Sequence, residues 1–122
     1  MEGKKPKSTT PTEAYEQTLL VTWLTKKGIK FYAIPNGGKM SYAQGVKFKR
    51  TGTQPGIPDI CIPYARKSFH GLYIELKRIK GGSVSLEQKQ WIGFLQEQGY
   101  YAEVAKGFEE AREMVEQYFN ST

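Results

Sequence analysis

The chain has 122 residues, which suits one domain, and its 39% hydrophobic content allows a compact core. Eighteen Lys and Arg residues stand against 12 Asp and Glu, giving a net charge of +6. This excess favours an anionic partner such as nucleic acid, although solubility alone would also explain it. The single cysteine, Cys61, excludes an intramolecular disulfide and a cysteine-based zinc site, and it fits a reducing cytoplasm. No apolar run approaches membrane-spanning length, and the basic N-terminus predicts no secretory signal.

The N-terminal segment 1–9 is rich in lysine and has almost nothing to bury. We therefore expect a disordered basic arm there, followed by a single domain at 10–122. Thr10 and Glu13 predict the start of a first helix, with Thr10 as the N-cap and Glu13 as the capping-box residue. A Lys-Lys-Gly run at 26–28 predicts the end of this helix.

Four short apolar segments predict strands, and they are Ile29–Ile34, Asp59–Pro63, Gly71–Lys77 and Tyr100–Ala105. Residues 39–43 predict a further strand or arm, and residues 44–56 predict a flexible basic loop. One helix should begin at Ser85 and end before Gly99, and a terminal helix should follow the last strand. This order of helix, two or three strands, helix, strand and helix indicates an α/β domain with a mixed sheet.

The segment Gly71–Lys77 alternates in polarity, so Glu75 and Lys77 share one face of the strand. Antiparallel pairing with the strand that starts at Asp59 would bring all three polar side chains together. Two carboxylates this close are unfavourable unless a proton or cation joins them, and Mg²⁺ prefers such oxygen ligands. The backbone carbonyl of Leu76 could add an oxygen ligand, and Lys77 could hold the attacking water or the scissile phosphate. Taken singly, these residues have plainer explanations: a turn-forming Asp and a solvated strand face.

The spacing of these residues resembles the PD-(D/E)xK nuclease superfamily, since Pro58-Asp59 and Glu75-Leu76-Lys77 are separated by fifteen residues. The surroundings resemble the VRR-NUC family of that superfamily. The segments that carry this closer resemblance are Gly56–Asp59, Ile74–Lys77, Ser85–Trp91, the helix at 13–24 and the Asn36-Gly37-Gly38 turn. The resemblance covers about residues 12–119.

The resemblance implies a restriction-endonuclease-like core of order α-β-β-β-α-β-α, dependence on Mg²⁺ with Mn²⁺ as a substitute, and DNA as the substrate. It adds Gln88 and an acid on the first helix to the site residues; Glu13 matches that acid best, and Glu16 lies one turn further on. Both Gln88 and Glu13 also fit plain capping-box roles. Small phage-encoded relatives resemble Holliday-junction resolvases and act as homodimers, which implies a phage or bacterial origin here and a cytoplasmic setting.

The predicted function is that of a structure-selective endodeoxyribonuclease cutting branched DNA, Holliday junctions included, as a homodimer. Basic side chains that are predicted phosphate contacts, or else part of a solvated loop, are Lys39, Lys47, Lys49 and Arg50. The alternative function is a non-catalytic module that binds branched DNA on a nuclease fold, and a restriction-type nuclease is a weaker third hypothesis. Trp23 and Trp91 lie on apolar helix faces and are predicted core residues, not base-stacking platforms.

Overall fold

Helices and strands alternate along residues 10–35 and 41–120, which are the residues that the computed structural model describes. The elements are α1 (Glu13–Lys27), β1 (Tyr32–Ala33), α2 (Tyr42–Arg50), β2 (Ile60–Ile62), β3 (Leu72–Lys77), α3 (Leu86–Glu97), β4 (Tyr101–Lys106) and α4 (Gly107–Asn120). The strands form one sheet in the order β1-β2-β3-β4. The predicted arm at 1–9, the Asn36-Gly37-Gly38 turn and Lys39 lie outside the described residues.

The sheet is mixed, as predicted. Strands β1, β2 and β3 pair antiparallel, whereas β4 runs parallel to β3. Parallel neighbours need a crossover connection, and α3 supplies it. The antiparallel register pairs Ile60 of β2 with Ile74 of β3. This register decides which side chains share a face, because a shift of one residue would exchange the two faces.

One face of the sheet carries the hydrophobic core. Leu20 and Leu24 of α1, together with Ala111 and Val115 of α4, are fully buried against it. Each pair is four residues apart, the spacing that brings side chains to the same side of a helix. The strand side chains in this cluster are Ile60, Ile62, Leu72, Ile74, Leu76 and Ala105. Trp23 packs against the cluster partly buried, whereas Trp91, predicted as a core residue, lies outside it.

The N-cap of the first helix lies two residues after the predicted one. Thr12, not Thr10, is the N-cap, and its hydroxyl accepts a hydrogen bond from the Tyr15 backbone N–H at 3.1 Å. The prediction was wrong because both threonines offer the same capping hydroxyl. Glu13 is consequently the first helical residue and does not belong to a capping box. The predicted end at Gly28 is confirmed, with the glycine in the left-handed region at φ 72°.

The predicted basic loop at 44–56 is wrong over its first half, because α2 occupies Tyr42–Arg50. The strand or arm predicted at 39–43 is likewise wrong where the chain is described, since Ser41 caps the helix. Ser41 and Gln44 form a capping box, each side chain accepting from the other's backbone N–H at 3.1 Å. No residue of α2 is buried, and the local signal for its start is the Ser41–Gln44 capping box, which the prediction did not use.

Two predicted strands are shorter than expected. The first was predicted at Ile29–Ile34, and β1 covers only Tyr32 and Ala33 at the exposed edge of the sheet. The second, β2, covers Ile60–Ile62, inside the limits that the flanking prolines indicated. Because β2 is this short, its pairing with β3 ends just before Asp59.

Candidate active site

Asp59 lies next to β3, immediately before the first residue of β2. The register that pairs Ile60 with Ile74 would set Asp59 opposite Glu75 if it continued by one residue. Asp59 Oδ2 instead accepts a hydrogen bond from the Leu76 backbone N–H at 2.8 Å. A strand residue projects its N–H and its carbonyl toward the same neighbouring strand, so the Leu76 carbonyl also faces the Asp59 side.

Glu75 is a buried carboxyl group with one oxygen bonded and the other not. Its side chain belongs to a residue only 1% exposed. Glu75 Oε2 accepts a hydrogen bond from Gln88 Nε2 at 2.8 Å and lies 3.4 Å from Lys77 Nζ. Glu75 Oε1 is buried and has no hydrogen-bond partner within the described part of the chain. Buried polar atoms are rarely left in this state, so the unpartnered oxygen indicates a ligand or a proton.

The raised pKa of Glu75 also indicates that its carboxyl group carries a proton or binds a cation. Burial, and after it the charge of Asp59, raise the pKa of Glu75 to about 8, although Lys77 opposes the shift. Desolvation penalises the charged form, and a neighbouring like charge adds to the penalty. The ion pair with Lys77 is therefore too weak to keep the carboxylate ionised near neutral pH, and a stronger cation would do so.

A cavity of about 320 Å³ brings the other predicted acid to the same place. Its walls are formed by Glu13, Pro55, Gly56, Asp59, Glu75, Ser85, Glu87 and Gln88. Glu16, the alternative to Glu13, is buried elsewhere: its Oε1 accepts a hydrogen bond from the Phe108 backbone N–H at 2.7 Å. The structure thus places Glu13 on the wall of the acidic cavity and Glu16 at the start of α4.

The Gln88 side chain bonds both to the start of α3 and to Glu75. Its Oε1 accepts from the Ser85 backbone N–H at 2.9 Å, and Ser85 Oγ accepts from the Gln88 backbone N–H at 3.1 Å. This is the predicted capping box. The amide nitrogen of the same side chain is left to bind Glu75. The start of α3 therefore also orients the buried carboxylate, so the capping explanation and the site explanation both hold geometrically.

Position 56, three residues before Asp59, requires a glycine. Its φ of +97° is in the left-handed region, and an added Cβ would lie 2.7 Å from the Glu87 backbone. No other residue type allows this close contact between the loop and α3. Pro55 and Glu87, which the sequence analysis did not single out, form the cavity wall as a result of this contact.

The predicted phosphate contacts lie on a different element. Lys47, Lys49 and Arg50 occupy the last turn of α2, where cations also complement the helix dipole. Lys47 and Arg50 line a cleft of their own rather than the acidic cavity. The structure brings these three together, and Lys39 lies outside the described residues.

The residues of the acidic cavity fit a divalent cation of the Mg²⁺ type. Among the described residues, no three His, Cys, Asp or Glu side chains are grouped so as to enclose an ion by themselves. An open Mg²⁺ site does not need such a group, because it commonly uses one or two carboxylates and completes its shell with water and phosphate. The carboxylates of Asp59 and Glu75, with the unpartnered Glu75 Oε1, match this donor set.

The chain is an α/β domain with an acidic cavity beside its mixed sheet, and comparison with known proteins identifies its family. A family model for the VRR-NUC domain matches residues 11–109. A solved structure described as a "VRR_NUC domain protein" is 31% identical, with a TM-score of 0.79, and the match covers 91% of this chain and 90% of that one. The chain belongs to the VRR-NUC domain family. A search of curated proteins gives no match. Over the described parts of the chain, every helix is too short or too polar to cross a membrane.

Proposed function

We propose that the chain is a Mg²⁺-dependent endodeoxyribonuclease that hydrolyses phosphodiester bonds in branched DNA, Holliday junctions among them. The observation that carries the proposal is the buried Glu75 carboxyl group, which lies beside Asp59 and Lys77 and keeps one oxygen unpartnered. A domain that only bound DNA would gain nothing from two acids placed where a phosphate must approach.

Asp59, Glu75 and the Leu76 carbonyl would hold the cation, and Mn²⁺ would substitute for Mg²⁺. When bound, such an ion acidifies water and offsets the charge of the phosphate in the transition state. The chain's own contribution is to position these oxygens before the substrate arrives. The Leu76 N–H holds Asp59 Oδ2, and Gln88 holds Glu75 Oε2, so neither carboxylate has to be ordered during the reaction.

Lys77 supplies a fixed positive charge. The residue is 6% exposed, and its ammonium group is paired with Glu75. A buried ammonium acts more strongly than one in water on the negative charge that develops at the phosphate, or on the water that attacks it. Glu13, on the cavity wall, supplies an acceptor for a water molecule in the cavity.

DNA binding is assigned to the basic last turn of α2 and to Lys39. Contacts from Lys47, Lys49 and Arg50 to phosphates would position the duplex without reading its bases. Selection of branched DNA would then depend on shape and flexibility. A homodimer with two-fold symmetry would supply two related cuts at a four-way junction.

The decisive experiment uses linear, flap, splayed and four-way DNA with Mg²⁺, Mn²⁺ or EDTA. We expect metal-dependent cleavage that favours the branched substrates, and a dimeric mass by light scattering at micromolar concentration. Binding of four-way DNA with no cleavage of any substrate in either metal would establish the non-catalytic alternative. Discrete fragments from random duplex would instead favour a restriction-type nuclease.

A further inference from the structure

A second cavity, of about 380 Å³, adjoins the acidic one. Its walls are formed by Gln54, Pro55, Glu87, Gln90, Trp91 and Phe94. Pro55 and Glu87 line both cavities, so the two spaces lie side by side at the contact between Gly56 and α3. A polymer bound with one phosphate at Glu75 would therefore place its adjoining part in the second cavity.

The geometry of α3 sets the distance between the two cavities. Trp91 lies three residues after Gln88, which bonds to Glu75, and this corresponds to about 4.5 Å along the helix axis. Phe94 follows one turn later on the same side of the helix. The second cavity thus begins within one turn of α3 from the residue that holds the buried carboxylate.

The two aromatic rings form an accessible platform. Trp91 and Phe94 meet edge to face, with centroids 5.7 Å apart and planes at 87°. Phe94 is 50% exposed, although a phenylalanine has no hydrogen-bonding reason to be in water. Trp91 is partly buried and lies outside the core cluster. The rings therefore expose apolar surface beside the acidic cavity, where a planar ligand could cover it.

The polar groups in this cavity suit a nucleobase and not a phosphate. Gln54 and Gln90 each carry an amide with donors and an acceptor, which matches the edge of a base. Among the described residues that line it, none is a Lys or Arg, and Glu87 adds a carboxylate, so an anion would be disfavoured. Aromatic side chains that stack on unpaired bases are the usual device for holding single-stranded nucleic acid.

We propose that this second cavity binds an unpaired nucleobase of the strand being cut, one or two nucleotides from the scissile phosphate. The inference rests on the proposed nuclease function and deepens it by naming the substrate class. DNA that already carries an unstacked base next to the cut, as at a branch point, would be preferred because removing a base from the stack of an intact duplex costs free energy.

The test combines a variant of the protein with a change in the DNA. Phe94→Ala removes the exposed ring, and Tyr15→Ala is the control, since Tyr15 is 54% exposed and lines neither cavity. A series of branched substrates carries one abasic residue at each position near the cut. Cleavage is measured with Mg²⁺, and binding is measured with EDTA.

We expect Phe94→Ala to weaken binding and cleavage of intact DNA about 5- to 100-fold, the range for one lost stacking contact. An abasic residue at one position should weaken the wild type to a similar extent. The two changes together should cost no more than one alone, because they remove the same contact. Tyr15→Ala should behave like the wild type, and Gln90→Leu should show the same coupling to the abasic position on a smaller scale.

Additive losses at every abasic position would overturn the nucleobase assignment while leaving metal-dependent cleavage in place. If the wild type cuts no substrate, the nuclease proposal fails separately, and the coupling in binding affinity still decides whether a base occupies the cavity. A Phe94→Ala protein that changes from dimer to monomer, with no coupling to any abasic position, would show that this face joins two copies of the chain, and would overturn the inference.

Discussion

Strand β3 is buried on both faces, but the two faces have opposite energetic consequences. Leu72, Ile74 and Leu76 are fully buried against α1 and α4, where each side chain gains about 1.5–3 kcal/mol from leaving water. Glu75 and Lys77 are almost as deeply buried on the other face, where removing a charge from water is costly. The burial of Glu75 and Lys77 on the polar face is therefore not explained by a gain in stability.

The pairing of Glu75 with Lys77 does not remove that cost. The pair is 3.4 Å apart, and the pKa of Glu75 is still raised to about 8. Natural sites that are strained in this way usually serve function at the expense of stability. The difference between the two faces can be tested by substituting neighbouring residues of β3, because their side chains lie on opposite faces.

The largest expected effect is from Glu75→Gln. Cleavage should fall by about 10³-fold or more, because a ligand oxygen is lost and metal catalysis supplies several kcal/mol. The same change should raise the stability of the metal-free protein at pH 8, since it removes a buried ionisable group. Single-turnover cleavage and urea unfolding measure the two effects. Glu103→Gln is the matched control, because Glu103 is an exposed glutamate on β4. A metal-free Glu75→Gln protein less stable than the wild type would contradict the proposed difference between the two faces of β3.

Lys77→Ala should lower cleavage about 10²- to 10³-fold, the usual cost of removing one electrostatic donor from an active site. Folding, followed by circular dichroism, and DNA binding in EDTA should be retained. Lys106→Ala provides a control, because Lys106 is an exposed lysine paired in register with Lys77 on β4. If purified Lys77→Ala cut DNA as fast as the wild type, the proposed mechanism would be wrong.

Leu76 lies between Glu75 and Lys77, and Leu76→Ala should lower stability more than it lowers cleavage. Its side chain is on the apolar face, so we expect a loss of about 2–5 kcal/mol in the free energy of unfolding. Cleavage per folded molecule should change little, because the Leu76 backbone N–H and carbonyl are kept. Leu86→Ala, at a leucine 67% exposed, should leave stability nearly unchanged. Equal losses of stability in the two variants would contradict the assigned faces.

The pH dependence of stability should follow from the raised pKa of Glu75. In the metal-free protein, an unfolded Glu ionises near pH 4.5, whereas the folded Glu75 ionises near pH 8. The favourable contribution is complete below pH 4.5 and is lost as pH rises to about 8, by roughly 3–5 kcal/mol. Urea unfolding in EDTA should show this fall, added Mg²⁺ should reduce it, and Glu75→Gln should abolish it. A fall of the same size in the Gln variant would assign it to another group.

The smallest expected effect separates the two roles of Gln88. Gln88→Ala and Ser85→Ala both break the capping box, and each should cost about 1 kcal/mol of stability. Only Gln88→Ala also removes the hydrogen bond to Glu75, so it alone should lower cleavage, by about tenfold. Thermal unfolding and cleavage rates of the two variants provide the comparison. Equal cleavage by both would leave Gln88 with a capping role only.

Features of this protein that depend on a local pattern of residues follow directly from its sequence. The alternation in Gly71–Lys77 predicted the two faces of β3, and the Ser85–Gln88 capping box predicted the start of α3. The Gly28 helix end also follows from the preference of glycine for left-handed backbone. These features are decided within one turn of helix or one strand, so they can be read without knowing the fold.

Only the tertiary structure decided the features that depend on residues far apart in the chain. It placed Glu13 rather than Glu16 on the acidic cavity, because Glu16 bonds to Phe108, 92 positions away. It left α2 without a buried residue, so this helix, whose Ser41–Gln44 capping box is a local signal, adds nothing to the core. It also brought Gly56 against Glu87, where the acidic cavity adjoins the aromatic one. Contacts of this kind follow from packing between elements, and no local pattern of residues encodes them.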